Sequence, residues 1–407
     1  MIKKHLWIVL IVSLCGFQFG YNTAVISGAI LFVSKAFSLS VLQEGNAVSI
    51  LLIGAIVGAS IGGFLANRLG RRRGMQLAAV FFMIGALVAV LPATIDGFLI
   101  GRVFQGLGVG AVSVIAPMYL AEIAPPAKRG AYVSTNQLLL VVGILVAYGC
   151  NFFWVGEEAW HKMVGFGFIP AALQFILLFF VPETIETSTQ KAVSKKSWLV
   201  LFNPTFRKAL IAGVSLSVFQ QITGINVVIY FAPKIFEEVG FKAAETAIFA
   251  TLGIGIINVI ATLIAVKLID KVGRRPLLLW GTLGMVVSLC LIGTALYTQS
   301  YWVQVISVFS LMTYVGCFAI GMGPIPWLII SEIYPPVIRG QAMSLAVFCN
   351  WVANYFIALT FLDLAKGLTF AGAFFFYALI GLIAIFFIWK RIPETKGKSL
   401  DTIEKQI

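Results

Sequence analysis

Apolar runs long enough to cross a bilayer recur along the whole chain, and nothing else in the sequence limits its fold so strongly. A helix needs about 20 apolar residues to span the hydrocarbon. Stretches bounded by charge, Pro or Gly mark twelve such spans: 6–32, 46–66, 75–92, 97–121, 131–153, 163–181, 207–234, 246–268, 277–297, 302–330, 341–362 and 369–389. All must be helical, because an open strand in lipid leaves its backbone hydrogen-bonding groups unmet. Composition agrees: 60% of the 407 residues are hydrophobic and 11% charged, against about 25% charged in soluble domains. The expectation is an all-α membrane protein with twelve transmembrane helices. Met1 to His5 ahead of an apolar run has the outline of a signal peptide, but the run continues to Ile30 without a persuasive cleavage site and reads as the first crossing.

The formal charge of +13 does not form one patch. Lys35, Lys162, Lys234, Lys242 and Lys366 fall in connections facing away from the termini, Arg102 lies inside the fourth span, and every other Lys or Arg falls on the side of the termini. The positive-inside rule then places both termini in the cytoplasm. The basic clusters are topology signals and no nucleic-acid partner is expected. The chain is expected as a multi-pass protein of the plasma membrane, the inner membrane in a bacterial cell, surrounded by lipid and working as a monomer. Five cysteines (Cys15, Cys150, Cys290, Cys317, Cys349) sit in apolar runs without C-x-x-C spacing, and there are two histidines, so neither a metal nor another cofactor is expected. Gly106, Gly108 and Gly110 lie within an apolar span, which points to close helix packing. A nucleotide loop of the form G-x-x-x-x-G-K-[ST] does not occur, which argues against ATP-driven transport.

An internal repeat organises the chain. Asn67-Arg68-Leu69-Gly70-Arg71-Arg72 returns as Asp270-Lys271-Val272-Gly273-Arg274-Arg275, the segment from Glu122 to Gly130 returns as Glu332 to Gly340, and Pro182-Glu183-Thr184 returns as Pro393-Glu394-Thr395. Six spans separate each motif from its copy. An even number means that the two halves insert in parallel. The expected organisation is a six-helix bundle over 1–182, a cytoplasmic linker over 183–205, a second six-helix bundle over 206–390 and a tail over 391–407.

These motifs resemble the sugar porter family of the major facilitator superfamily. The resemblance takes in Gly20 to Gly28 of the first span, Gly101-Arg102, Asn136-Gln137-Leu138, Gln220 to Asn226, Gly323-Pro324-Ile325-Pro326-Trp327 and Pro393 to Gly397. It implies alternating access around a central site that admits a monosaccharide, and a carrier rather than an enzyme.

The residues support such a ligand independently. A sugar needs groups that both donate and accept hydrogen bonds, which amides do, beside an aromatic plate. Gln137, Gln220, Gln221, Asn226, Asn258 and Asn350 all lie in apolar spans, with Trp327 and Trp351, while Phe19 and Tyr230 match the family's site-lining aromatics. Each amide could instead tie helices together, and each aromatic could simply pack. Gln220 and Asn226 lie about 120° apart around an ideal helix, so only a break, which Gly224 could supply, would turn them to one ligand. A buried ion costs about 2.5–3.5 kcal/mol on insertion scales, and only Arg102 lies deep in a span. The expected ligand is a small neutral sugar, a hexose.

The resemblance also gives roles to the charged positions. Glu122 and Arg129, Glu332 and Arg339, with Arg71, Arg72, Asp270, Arg274 and Arg275, match the family's gating salt bridges between halves. Asn22 matches an aspartate that pairs with the arginine at Arg102 in proton-coupled members, and an asparagine in facilitative glucose carriers. An amide cannot titrate, so uniport is expected; a proton symporter for a pentose, hexose or cyclitol, with Glu122 as proton carrier, and a non-transporting sensor stay open. Asn67 departs from the family's aspartate, and Pro182-Glu183-Thr184-Ile185-Glu186 departs from its usual linker motif.

Overall fold

The computed structural model describes residues 2–91, 94–125, 129–184, 201, 203–335 and 338–396, the side chains of 2–5, 67, 129 and 270 excepted. Most of the expected linker, most of the tail, and the side chains of Asn67, Arg129 and Asp270 lie outside them. The described residues are helical throughout, with no strand among them. Their helices are α1 (Ile2–Ala24), α2 (Ile26–Ala36), α3 (Val41–Leu69), α4 (Arg71–Val90), α5 (Ile95–Ile123), α6 (Arg129–Trp154), α7 (Trp160–Gly165), α8 (Phe168–Leu177), α9 (Arg207–Ile222), α10 (Ile225–Glu238), α11 (Ala244–Val272), α12 (Arg274–Tyr297), α13 (Val303–Ile320), α14 (Ile325–Ile333) and α15 (Arg339–Arg391).

Among the described residues eleven helical segments are long and apolar enough to cross a membrane, the last of them 53 residues. At 1.5 Å per residue that segment would run about 80 Å, more than twice a hydrocarbon core of about 30 Å. Thr369, with φ 64° and ψ 163°, breaks it, and its Oγ1 accepts from the Gly372 amide at 3.3 Å as an N-cap does. The segment is two crossings, and the total is twelve. Several helices outrun their apolar stretches because polar caps set their ends. Ser40 and Gln43 form a capping box before α3, which starts five residues ahead of the expected span.

Many large apolar side chains on these helices are exposed, as lipid requires. Trp7, Trp280 and Trp389 lie exposed toward the ends that carry the arginines, and Tyr297, Tyr301 and Trp302 toward the other ends, where aromatic belts sit at the two interfaces.

Two compact units divide the chain. One comprises Met1–Ile185, Ile229–Val259 and Ala358–Asp363, the other Glu186–Val228, Ile260–Ile357 and Leu364–Ile407. In the first, α3 packs on α5, α5 on α4, and α1 on α6. The α3–α5 contact is backbone on backbone: a Cβ added at Gly106 would lie 2.0 Å from the Leu51 carbonyl oxygen, and one at Gly110 2.1 Å from that of Ala55. The glycines read as packing positions do pack helices. In the second unit α12 packs on α13 and α9 on α14.

Candidate functional site

Glycine breaks the seventh crossing. Gly224 adopts φ 97° between α9 and α10, a conformation that costs other residues about 1–2 kcal/mol, and the Tyr377 ring lies 3.1 Å from where a Cβ would stand. The break turns Asn226 back toward α9, so that its Nδ2 donates to Gln221 Oε1 at 2.6 Å. The tenth crossing breaks too, between α13 and α14, around Gly321 to Pro324. Backbone carbonyls freed there need partners, and Gln220 Nε2 supplies them, donating to Met322 O at 2.8 Å and Gly323 O at 3.0 Å.

Asn350 on α15 links these pieces. Its Nδ2 donates to Ser217 O at 2.7 Å and Gln220 Oε1 at 2.8 Å, and its Oδ1 accepts from Gln221 Nε2 at 3.0 Å. The result is one chain of amides, Gln220 to Asn350 to Gln221 to Asn226. Exposure rises along it, from 3% at Gln220 and Asn350 to 9% at Gln221, and Asn226 is half-buried. Gln220 and Gln221 are engaged at both ends of their amides, whereas Asn226, at the accessible end, donates among the described residues to Gln221 Oε1 alone. Trp351, next to Asn350, is buried, and Trp327 on α14 is half-buried.

The other sugar-site candidates belong to the first unit. Gln137 on α6 and Phe19 on α1 are half-buried, and Tyr230 and Asn258 are buried. Tyr148, which the sequence reading passed over, donates to the Ile229 carbonyl at 3.0 Å beside Tyr230. Asn22 is buried, and its Nδ2 donates to the Gln18 carbonyl at 2.9 Å and to Gln18 Oε1 at 3.1 Å. Arg102 donates to the Asn22 carbonyl and to Gln105 Oε1, both at 2.8 Å. Gln18 and Gln105 were missed from sequence, although each is an amide in an apolar run, the same signal that marked Gln220.

At the arginine-bearing ends the repeat reappears as matching geometry. Gly70 (φ 92°) and Gly273 (φ 109°) sit before α4 and α12. Arg71 pairs with Glu122 at 3.1 Å and also donates to Ala66 O, and Arg274 pairs with Glu332 at 3.5 Å and donates to Ile269 O. Both pairs join ends within one repeat copy. Glu183 accepts from the Arg72 amide at 3.0 Å, and Glu394 from the Arg274 and Arg275 amides at 3.1 and 3.0 Å. Each carboxylate thus sits on a helix N-terminus, where the backbone dipoles favour negative charge. Burial alone would raise the Glu394 carboxyl, but the amides of Lys396, Arg274, Arg275 and Thr395 hold it below its ordinary value. Arg72 and Arg275 reach back to the Val181 and Trp389 carbonyls, and Arg339 to that of Tyr334 at 3.0 Å.

A different pair stands at the opposite ends. Lys234 of α10 donates to Glu44, in the first turn of α3, whose carboxylate is 6% exposed. Next to it a Cβ at Gly45 would meet the Leu359 carbonyl at 2.7 Å, and the Phe231 and Phe361 rings lie 5.1 Å apart. All of these residues fall in the first unit. The sequence carried no signal for this pairing.

Comparison with known proteins places this arrangement. The family described as sugar (and other) transporter matches residues 8–192 and 184–406. The D-xylose transporter of Levilactobacillus brevis is 38% identical over 96% of this chain and 93% of its own. The glucose transporter GlcP of Staphylococcus epidermidis is 34% identical over 100% and 98%. The inward-open structure of the xylose transporter XylE from E. coli superposes with a TM-score of 0.84 at 34% identity, covering 98% of this chain and 99% of that one. With twelve crossings, the repeated charged turns and a match running from residue 8 to residue 406, the chain belongs to the sugar porter family of the major facilitator superfamily, and is a transporter, not an enzyme.

Proposed function

We propose that the chain carries a neutral monosaccharide, a hexose, by alternating access of two six-helix halves (1–182 and 206–390), as a uniporter, with both termini cytoplasmic. The observation that carries the substrate class is the amide chain, committed to backbone carbonyls at Gln220 and ending at the half-buried Asn226, whose amide donates to Gln221 Oε1. A sugar hydroxyl both donates and accepts, so it can replace the Asn226–Gln221 bond without leaving either amide unmet. The ring face would rest on Trp327 or Trp351; Gln137 and Phe19 of the first repeat, and Asn258 and Tyr230 of the second, are the further candidate contacts. Relatives named for xylose and glucose support a neutral sugar.

Gln221→Ala or Asn226→Ala strands hydroxyls at about 1–3 kcal/mol each, so the half-saturation constant for radiolabelled hexose uptake in vesicles is expected to rise about 5- to 150-fold. Unchanged uptake in both variants overturns the assignment. A competition panel of unlabelled hexoses and pentoses identifies the preferred ring.

Uniport rests on Asn22, an amide hydrogen-bonded to Gln18 where proton-coupled members carry an acid. A second reading, proton symport, is favoured by relatives such as the D-xylose-proton symporter of Escherichia coli. Its substitute carrier, Glu122, is engaged by Arg71. Sugar added to lightly buffered vesicles is expected to leave the external pH unchanged, and stoichiometric alkalinisation favours symport. A sensor would bind sugar without admitting it.

A further inference from the structure

Arg102 carries a positive charge that pairs with no carboxylate among the described residues. The residue is 1% exposed, and both of its hydrogen bonds leave from Nη1 toward neutral oxygens, the Asn22 carbonyl and Gln105 Oε1. None of the ion pairs among the described residues includes it. Its Nε is buried without a partner, and so is Nε2 of Gln105. An uncompensated buried charge is destabilising, and each unmet buried donor adds to that cost. Asn22, whose backbone carbonyl Arg102 bonds, has a neutral side chain with Nδ2 on Gln18.

Two unmet donors beside a fixed positive charge define what would satisfy them. The ligand must accept and not donate, which excludes a cation and disfavours a sugar hydroxyl. It must be negative, because a neutral acceptor meets the donors but leaves the charge. It must be small, because the surrounding side chains are buried: Gln18 and Gln105 at 0%, Asn22 at 1%. We propose that Arg102 and Gln105 hold a small monovalent anion of the halide type, so that a diffusible ion takes the place of the carboxylate that Asn22 lacks. Binding is independent of the transported sugar.

The test uses the purified full-length chain without sugar, with chloride exchanged for gluconate at constant ionic strength. The wild type is expected to gain about 2–4 °C of melting temperature saturably with chloride, and to broaden the chloride NMR line in a way that bromide reverses. Gln105→Glu places a carboxylate at the guanidinium, and Asn22→Asp adds one on the residue whose carbonyl Arg102 bonds, neither adding bulk. Both are expected to lose the chloride response, and either one suffices should the other fail to fold. A wild type without saturable chloride dependence or displaceable broadening overturns the proposal, as does an equal response in a folded carboxylate variant. Sugar uptake does not enter the measurement, so its outcome leaves the substrate assignment untouched.

Discussion

Gly106→Val is expected to yield no monodisperse protein after solubilisation. Overpacking a core usually costs about 1–3 kcal/mol, because neighbouring side chains can shift. Here the obstacle is main chain. A Cβ at Gly106 would lie 2.0 Å from the Leu51 oxygen and 2.9 Å from Gly54 Cα, and no rotamer relieves either contact. The reciprocal positions are equally closed, with Gly54 facing the Val103 oxygen at 2.2 Å and Gly58 that of Leu107 at 2.3 Å. α3 and α5 must therefore separate along their length to admit one branched side chain. Helix association in lipid depends on this close packing. Gly63→Val, on the same α3 helix but with nothing within 4 Å of its added Cβ, is the control and is expected to match the wild type by size-exclusion chromatography. Equal behaviour of the two variants would sink the packing argument.

Removing one member of the Lys234–Glu44 pair is expected to have the next largest effect. Lys234→Met leaves a nearly buried carboxylate without its counter-ion, which costs about 3–5 kcal/mol, whereas replacing both partners by apolar groups is often neutral. The melting temperature should fall in Lys234→Met and recover in the double variant Glu44→Leu/Lys234→Met. A double variant as unstable as the single one would show that the pair itself, rather than avoidance of a stranded charge, holds α10 to α3. Glu44 also occupies the first turn of α3, where a negative charge is favoured by the helix dipole, so recovery is expected to fall slightly short.

Much of the architecture could be read along the chain because bilayer thickness converts composition into helix length. The spans 341–362 and 369–389 were separable from sequence even though the backbone runs helical from Arg339 to Arg391 around Thr369. Glu183 and Glu394 could be matched as repeat copies, and in the folded chain both do cap the helix that follows a positive-φ glycine. The break at Gly224 was anticipated because Gln220 and Asn226 point apart on a regular helix.

Which amides share hydrogen bonds was not legible. Gln220 and Gln221 are neighbours of identical chemistry, yet one is spent on the carbonyls of Met322 and Gly323 and the other on Asn226 and Asn350. Glu44 and Lys234 stand 190 residues apart, and Gln105 passed unnoticed one turn from Arg102. The number of crossings, the repeat and the family were legible in the residue order, since these follow from hydropathy and local motifs that act along the chain. The partners emerge only in the folded chain, because hydrogen bonds and ion pairs depend on helix rotation and on tenths of an ångström, and an apolar run is consistent with many rotations about its own axis.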